Sequence, residues 1–326
     1  MSHPTRKASS PEEPLIEGLF ASEDVVDEDE VYARAVSEWR KTEKIIKKAS
    51  AQRIRFESGP IAIANVADIH LGGSGVDYER VFYEADLIAK TDGMYLMLDG
   101  DLVDNFVLAK LMHVRLNTKF AIAEEWALLR RYLGIVGHKL LLSVGGNHDG
   151  WSRIAGIDYF REVMGRVRDN VIYDTDDVVV MLEVGQADFP IRLRHQWNGS
   201  TIYNATHGIE RAAKFDGNFI CGVGAHTHVS GLTRQFNVGG RTWMAVLCGS
   251  YKVYDPYARA RWFAKPNGST AATVVFDESG AMFGIDRLEY ATHVIERLRG
   301  GKRNGTLGAK ARGRKVDRKS KKTVGR

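Results

Sequence analysis

Five polar clusters in the sequence combine the residue types that bind divalent metal ions and transfer protons. In chain order they are Asp68-Ile69-His70, Gly100-Asp101-Leu102-Val103-Asp104-Asn105, Gly145-Gly146-Asn147-His148-Asp149, the separate histidines His195 and His207, and His226-Thr227-His228. Carboxylate oxygens together with neutral imidazole nitrogens suit manganese, iron or zinc. The clusters therefore predict a site for divalent metal ions.

The first two clusters offer carboxylates and one imidazole. In an extended segment, residues two apart point to the same side, so Asp68 and His70 could coordinate one ion. Gly100 permits a tight turn at the end of a strand, and the Asp101 side chain would project at the edge of the sheet. Asp104 could orient a neighbouring ligand, although an aspartate before an apolar helical run is also a common helix cap.

The third cluster combines glycines with a neutral ligand and a proton donor. Its two glycines allow close approach of the backbone, and the Asn147 side chain offers an uncharged oxygen. His148, beside Asp149, is a positioned proton donor of the kind that general acid catalysis requires. Such a cluster at a strand end rarely serves packing, so we expect it to be functional.

The remaining clusters are histidines at element ends. His195 closes a predicted strand, and His207 opens a short predicted helix. His226 and His228, separated by one residue, form a usual metal-binding pair after another predicted strand.

Hydrophobic periodicity predicts the elements that position these clusters. Strands are predicted at Ile61–Ala67, Met94–Leu98, Lys139–Val144, Val178–Val184, Ile191–His195, Phe219–Val223, Thr242–Leu247, Ala272–Phe276 and Met282–Leu288. Helices are predicted at Tyr78–Lys90, within Phe106–Leu133, at Trp151–Gly165 and at about Gly208–Phe215. The clusters lie at strand ends, where the ligand sites of α/β sheets gather. Strand–helix alternation followed by a strand-rich half predicts a layered α/β fold with a mixed sheet or two packed sheets.

Composition predicts a protein with a core of its own in a reducing compartment. The 326 residues are 44% hydrophobic, enough for one large domain or two small ones. Two cysteines cannot form a disulfide framework, and no charged-then-apolar leader opens the chain, so we expect a cytoplasmic rather than a secreted protein. No apolar run approaches the ~20 residues needed to span a bilayer, so we expect no membrane association.

Positive charge is concentrated at the C-terminus. The formal net charge is +5, yet Arg297–Arg326 holds thirteen Lys/Arg against the single acid Asp317, which leaves the preceding residues acidic overall. Residues 296–326 are therefore predicted to form a disordered basic tail. Such a tail suits phosphate backbones, so we expect nucleic acid as a partner, with a merely solvated tail as the alternative.

The N-terminal residues predict a disordered segment and then a helix. Residues 1–24 are rich in Ser, Pro and Glu and are predicted to be disordered. In residues 25–58, apolar side chains recur at roughly helical spacing, which predicts an amphipathic helix packed on the body through Trp39. Contact with DNA, a partner or a second copy is the alternative. The globular domain would then span residues 59–295.

The clusters together resemble the signature of a known family. Asp68-x-His70, Gly100-Asp101-x-x-Asp104, Gly146-Asn147-His148-Asp149, a strand-end histidine and His226-x-His228, in this order, are similar to the motifs of the calcineurin-like metallophosphoesterases over about Ile61 to Leu288. One departure is Ala225, where that family usually has glycine, and it removes no ligand. Arg194-His195-Gln196 resembles the His-Gln of the Mre11/SbcD-like nucleases, and His207 followed by glycine also matches a common form. Strand-end geometry favours His195, with His207 and Arg194 as groups that contact the substrate or support a ligand.

This resemblance implies a fold and a two-metal site. The fold would be α/β in four layers, α-β-β-α, with two packed mixed β-sheets flanked by helices. Two divalent ions are implied, with manganese favoured and iron, zinc, nickel or magnesium as alternatives. One ion would be held by Asp68, His70, Asp101 and His228, and Asp101 would bridge to a second held by Asn147, His195 and His226.

The implied reaction is hydrolysis of phosphodiester bonds, in nucleic acid, by a hydroxide that bridges two ions ~3.5–4 Å apart. His148 would stabilise the phosphoryl oxygens or protonate the leaving group, and Asp149 would fix its ring. A phosphomonoesterase acting on protein or small-molecule phosphates is the alternative. A non-catalytic nucleic-acid-binding protein with the same fold is a further alternative, against which the intact ligands argue.

Overall fold

The computed structural model describes residues 27–49, 52–107, 119–167, 170–199, 201, 203–254 and 270–312. The chain divides into two compact units, Met1–Lys47 and Lys48–Arg326. Residues 1–24, predicted to be disordered, and residues 313–326 of the basic tail lie outside the described residues.

Strands dominate the second unit. The described strands are β1 (Arg53–Phe56), β2 (Ile61–Val66), β3 (Met94–Asp99), β4 (Leu140–Val144), β5 (Ile172–Asp174), β6 (Val178–Val184), β7 (Ala187–Leu193), β8 (Cys221–Gly224), β9 (Leu232–Val238), β10 (Arg241–Leu247), β11 (Ala272–Phe276) and β12 (Met282–Ile285). The described helices are α1 (Glu28–Ala49), α2 (Tyr78–Lys90), α3 (Ile122–Val136), α4 (Asn147–Gly150), α5 (Tyr159–Met164), α6 (His207–Phe215) and α7 (Leu288–Arg312), with 3-10 turns at Gly137–Lys139 and Trp151–Ala155. None of these helices has the length and apolar character needed to cross a membrane.

The described strands form two mixed sheets of six strands each. Sheet I has the order β12-β11-β2-β3-β4-β5, in which β2 to β5 are parallel to one another. Sheet II has the order β1-β6-β7-β8-β10-β9, in which β7, β8 and β10 are parallel. Because neighbouring parallel strands end at the same edge, each sheet presents a row of loops at one side.

The two sheets pack face to face over a shared apolar core. Ile63 and Met97 of sheet I lie in this core with Leu182, Phe189 and Val246 of sheet II. Strand periodicity sends alternate residues to opposite faces, so a strand buried on both faces is a continuous apolar run. This is why β2 shows no polar alternation.

Helices cover the outer face of each sheet. The outer face of sheet I packs against α2, α3 and α7, with Val81, Trp126 and Ala291 in one cluster. The outer face of sheet II packs against α6 through Ile209 and Ala213. The predicted four-layer α-β-β-α architecture is thereby confirmed.

Every predicted strand is present, and the strands that the sequence did not reveal lie at sheet edges. These are β1 and β9 at the two edges of sheet II and β5 at one edge of sheet I. β1 and β5 have only four and three residues, at or below the shortest run that alternation can identify, and β9 carries the polar run Thr233-Arg234-Gln235. Two predicted boundaries were also wrong, since β7 ends at Leu193, two residues before His195, and Leu288 begins a helix rather than ending a strand.

The helical predictions near the termini differ from the structure in extent. Helix α1 ends at Ala49 and β1 follows, so the predicted helical segment 25–58 contains a strand of sheet II. Helix α7 continues to Arg312 and so includes part of the segment 296–326 that was predicted to be disordered. Its first turns bury Leu288, Ala291 and Ile295. This packing anchors the start of α7, and helix formation extends from it.

Both cysteines are buried and unpaired. Cys221 begins β8, and Cys248 follows β10 directly. Burial raises the pKa of the Cys221 thiol to about 12 and that of Cys248 well above its usual value.

Candidate metal centre

The ends of β2, β3 and β4 bring three loops together at one edge of sheet I. The Asp68 amide donates to the Gly100 carbonyl (3.0 Å), and the His70 amide donates to the Asp101 carbonyl (3.0 Å). The loops after β2 and β3 thus continue the hydrogen-bond ladder beyond the last strand residues. These bonds fix the backbone positions from which the Asp68, His70 and Asp101 side chains extend.

Backbone strain is concentrated in these strand-end loops. The described non-glycine residues with positive φ are Asp68 (47°), His70 (51°), Asp101 (51°), Asn105 (43°), His226 (72°) and His228 (52°). Such conformations cost roughly 1–3 kcal/mol each and collect at functional sites, where the surrounding fold holds them. Five of the six are residues that the sequence predicts as metal ligands.

Two glycines allow the loops after β3 and β4 to touch. Gly100 has a φ of +78°, and a Cβ there would lie 2.5 Å from the Gly146 amide nitrogen. A Cβ on Gly146 would lie 2.1 Å from Asp101 Oδ1. The close backbone approach predicted from these glycines is therefore a requirement of the site.

One group of ligand atoms comes from Asp68, His70, Asp101 and His228, with all four atoms within 4.8 Å of one another. The Nε2 atoms of His70 and His228 lie 2.9 Å apart, and His228 Nε2 lies 3.6 Å from Asp68 Oδ1. Two nitrogens bound at right angles, each about 2.1 Å from one ion, would be about 3 Å apart. The two imidazoles converge as ligands of one cation do.

A second group contains Asp101, His195 and His226, and a third group, which shares His70 with the first, contains His70, Asp104 and His148. The first two groups share Asp101. His195 Nε2 lies 3.2 Å from Asp101 Oδ2, and the His226 amide donates to Asp68 Oδ2 (2.9 Å). Asp101 belongs to both groups, as a bridging carboxylate would. The two groups contain the His and Asp side chains that the family resemblance implies for the two ions.

Backbone carbonyls orient two of the imidazoles. His195 Nδ1 donates to the Asp99 carbonyl, and His148 Nδ1 donates to the Asp104 carbonyl, both at 2.6 Å. A carbonyl only accepts, so in each neutral ring the proton is on Nδ1 and the lone pair is on Nε2. In both rings Nε2 is the nitrogen that lies near Asp101, at 3.2 Å and 4.0 Å respectively.

Asp104 supports a third ring and is itself held by a buried lysine. Its Oδ1 lies 3.1 Å from His70 Nδ1 and accepts a hydrogen bond from Lys252 Nζ at 2.9 Å. Burial opposes ionisation of Asp104, but the bond to His70 and the charge of Lys252 hold its pKa at about 2. These contacts fit the predicted role of Asp104 in orienting a neighbouring ligand, while the helix that it could cap lies largely outside the described residues.

Several carboxyl groups are buried together at this centre. Burial raises the pKa of Asp68 to about 7, and burial raises that of Asp99 well above its usual range. Asp101 behaves differently: burial opposes its ionisation, yet the charges of His195 and His148 hold its pKa well below the usual range. Divalent cations would relieve the repulsion among these carboxylates, since they are the largest local charges in such sites.

Most of the imidazoles are held neutral. Burial lowers the pKa of His148 to about 4, and burial with the nearby His70 lowers that of His228 to about 2. Neutral imidazole is the form that binds metal. Burial also opposes the charged form of His195, but Asp101 beside it holds its pKa well above the usual range, so a metal ion would displace a proton there.

Several buried polar atoms of the centre are unsatisfied in the described part of the chain. They include Asp68 Oδ1, His195 Nε2 and His226 Nδ1, which have no hydrogen-bond partner there. A buried polar atom left unpaired costs about 1–3 kcal/mol. A divalent cation would satisfy such atoms, so this donor set of carboxylates and imidazoles fits the implied ions.

The structure places three predicted residues at the margin of the centre or beyond it. Asn147 is the first residue of α4 and is exposed, so its role as a ligand stays a prediction. His207 Nδ1 donates to the Gly199 carbonyl (2.5 Å) at the start of α6, outside both groups, whereas His195 lies inside one. Arg194 Nη1 lies 3.8 Å from Asp177 Oδ2.

The expectation that Asp149 fixes the His148 ring was wrong. Asp149 Oδ1 accepts from the Leu102 amide (3.0 Å), and Oδ2 accepts from the Gly146 amide (2.9 Å). Asp149 therefore ties the loop after β3 to the loop after β4, while the Asp104 carbonyl orients the ring. Sequence reasoning had no signal for this, because every residue carries a carbonyl.

Aromatic residues that belong to no motif enclose His148. Its ring stacks on Trp151, with centroids 4.0 Å apart and planes at 32°, and Phe106 meets it edge-on at 5.1 Å. Lys252 Nζ lies 5.4 Å from the Phe106 ring centroid. This packing explains the burial of the imidazole. Lys252 follows β10 by five residues, and no motif of the sequence singled it out.

Comparison with known proteins adds two distant structural likenesses. No protein-family model and no curated protein matches the chain. The crystal structure of Vps29 from Chaetomium thermophilum is similar at 14% identity and a TM-score of 0.36, over 69% of this chain and 93% of that one. The crystal structure of nuclease MPE from Pseudomonas putida is similar at 12% identity and a TM-score of 0.33, over 68% of this chain and 87% of that one. At these values neither likeness says what this chain does.

Proposed function

We propose that the chain is a metal-dependent phosphoesterase that hydrolyses phosphodiester bonds, with nucleic acid as its substrate. The observation that carries this proposal is the position of Asp101 in two ligand groups at one buried centre built by both sheets. Two adjacent cation sites that share a carboxylate are the arrangement of two-metal phosphoryl-transfer sites.

The ligand groups assign a role to each side chain. Asp68, His70, Asp101 and His228 would hold one ion, and Asp101, His195 and His226 would hold the other, with Asn147 as an added oxygen ligand. Manganese suits this mixture of carboxylate and imidazole, as iron and zinc do. When bound, two divalent ions activate water as a nucleophile at neutral pH and stabilise charge on the phosphoryl oxygens.

His148 is the residue of this chain placed to act on the substrate. Its Nε2 lies 4.0 Å from Asp101 Oδ2, at the edge of both groups. Burial keeps the ring neutral before substrate binds. A phosphate beside Nε2 would raise the pKa of His148, because a nearby negative charge favours the protonated ring. His148 would then donate to a phosphoryl oxygen or to the leaving group.

The choice of nucleic acid is supported by the basic C-terminal segment. Thirteen Lys/Arg lie between Arg297 and Arg326. Arg299 donates to the Pro60 carbonyl (3.1 Å) and pairs with Asp92 (3.1 Å), beside the first residues of β2 and β3. The centre lies at the opposite ends of these strands, about 20 Å away at ~3.3 Å per residue. The described start of the basic segment at Arg299 therefore lies away from the centre.

The first test compares two chromogenic esters. Chelator-stripped protein is assayed with bis(p-nitrophenyl) phosphate and with p-nitrophenyl phosphate, before and after addition of Mn²⁺. Metal-dependent cleavage that is faster on the diester supports the proposal. Faster cleavage of the monoester would favour a phosphomonoesterase, and no cleavage with any divalent ion by folded protein would contradict catalysis.

The second test separates the substrate from the reaction. A chain ending at Arg312 keeps α7 and removes seven Lys/Arg. We expect weaker DNA binding with a smaller salt dependence, while the rate on the small diester stays unchanged. Equal DNA affinity of the full and shortened chains would remove the support that this segment lends to nucleic acid.

A further inference from the structure

We infer that α1 joins two copies of this chain as an antiparallel helix pair. The helix is 22 residues long, and its apolar positions 31, 32, 35, 36 and 39 fall on one stripe at three- and four-residue spacing. On this stripe Val31 is 39% exposed, Tyr32 is 72% exposed and Trp39 is 61% exposed. A contiguous stripe with two exposed aromatic side chains marks an interaction surface.

The charges of α1 select the occupant and its direction. Residues 28–38 contain four acidic residues and one basic residue, whereas residues 39–49 contain five basic residues and one acidic residue. Two parallel copies would place like charges side by side. Two antiparallel copies place the acidic half of each helix against the basic half of the other, which is attractive at both ends.

The position of Trp39 fits the symmetry of such a pair. Trp39 adjoins the midpoint of Glu28–Ala49, so a two-fold axis through that midpoint would bring the two indoles together. In such an interface the same patch contacts itself. A nucleic acid would meet the acidic half as well as the basic half, and its phosphates would not cover an apolar stripe. A second copy satisfies both features, and this inference is independent of the proposed reaction.

The oligomeric state of the full chain provides the first test. Sedimentation velocity over a range of concentrations should show a dimer that weakens as salt is raised, since salt screens the attraction. Trp39→Ala should weaken self-association at least about tenfold, as expected for a central aromatic anchor. Tyr83→Ala is the matched control, because Tyr83 on α2 is 53% exposed and lies outside the stripe.

Charge reversal tests the direction of the helices. The double variants Asp29→Lys with Glu30→Lys, and Lys41→Glu with Lys44→Glu, should each self-associate more weakly than the parent chain. An equimolar mixture of the two variants should recover dimer. In a mixed antiparallel pair, the half made more basic in one variant lies against the half made more acidic in the other. Helix content measured by circular dichroism confirms that α1 persists in each variant.

Three results would overturn the inference. One is a parent chain that stays monomeric at all concentrations. Another is a dimer that survives Trp39→Ala and both charge variants, since its interface must then lie elsewhere. The third is a tighter dimer for Lys41→Glu with Lys44→Glu, which a parallel pair requires and an antiparallel pair forbids.

Discussion

The two sheets supply the centre with different chemistry. Sheet I provides the carboxylates Asp68 and Asp101 from loops that extend its own hydrogen-bond ladder. The loops after β7 and β8 of sheet II provide imidazoles, which add donor atoms without adding negative charge. Asp101 belongs to both ligand groups, whereas His195 and His226 belong to one. Loss of Asp101 should therefore affect the whole centre, and loss of His195 only part of it.

The largest effect is expected from Asp101→Asn. Loss of the shared carboxylate removes a ligand from both groups, so we expect loss of metal from both and a fall in turnover of about three orders of magnitude or more. Metal per chain, measured by elemental analysis, and diester hydrolysis provide the readouts. Asp177→Asn, which alters a surface ion pair with Arg192, should leave both unchanged. Full metal content in Asp101→Asn would contradict the shared role.

A partial effect is expected from His195→Ala. Because His195 belongs to one group only, we expect about one ion per chain instead of two, with the Asp68 group still loaded. His207→Ala is the matched control, since His207 lies outside both groups, and it should retain two ions. The reverse pattern would assign the fourth motif to His207.

A smaller effect is expected from Lys252→Met. This change leaves Asp104 in contact with His70 but removes the ammonium that holds the Asp104 carboxylate in place. The affinity of the Asp68 group for metal should therefore fall about tenfold, the lower end of the range for residues that hydrogen-bond to a metal ligand. Isothermal titration with Mn²⁺ measures it. Lys252→Arg should restore part of the affinity.

Lys139→Met controls for the loss of a part-buried lysine, because Lys139 donates to the Thr91 carbonyl far from the centre. Equal affinity in Lys252→Met and the parent chain would contradict the role.

The smallest effect concerns His148 and its aromatic enclosure. Burial lowers the pKa of His148 to about 4, below the ~6.5 of an unfolded chain. As the pH falls from 6.5 towards 4, the unfolded state takes up a proton on this ring before the folded state does. The free energy of unfolding therefore decreases over this range, and the full contribution is present above pH 6.5. In Trp151→Ala, water reaches the ring and its pKa should rise towards 6.5. An NMR titration of the metal-free protein measures the shift, and an unchanged value would show that Trp151 does not maintain the burial.

That the polar clusters meet at one place was predictable, because they follow the ends of predicted strands. Strands that end together bring the side chains after them together, which is why Asp68, Asp101 and His226 could be grouped from sequence. The local geometry was not predictable. Asp68 and His70 were expected to share a side of an extended segment, yet both adopt left-handed backbone conformations beyond the end of β2.

The supporting residues could not be found from sequence for two reasons. Lys252 is 148 positions from Asp104, so no spacing rule connects the lysine with the carboxylate that it holds. The orientation of His148 and of His195 depends on main-chain carbonyls, which have no residue-type signal. The edge strands β1 and β5 were missed because they are only four and three residues long, and β9 because polar residues interrupt its apolar pattern.

The burial of Cys221 and Cys248 makes the chain suited to site-specific labelling. Thiolate is the reactive form, and burial suppresses it at both native cysteines, so a single cysteine placed on the surface would react with maleimide far faster. With Asp29→Cys, spin labels on an antiparallel α1 pair would be separated by about 28 Å along the helix axis at 1.5 Å per residue. On a parallel pair they would be neighbours. Because the native thiols are unreactive, electron paramagnetic resonance can measure this distance with no other change to the protein.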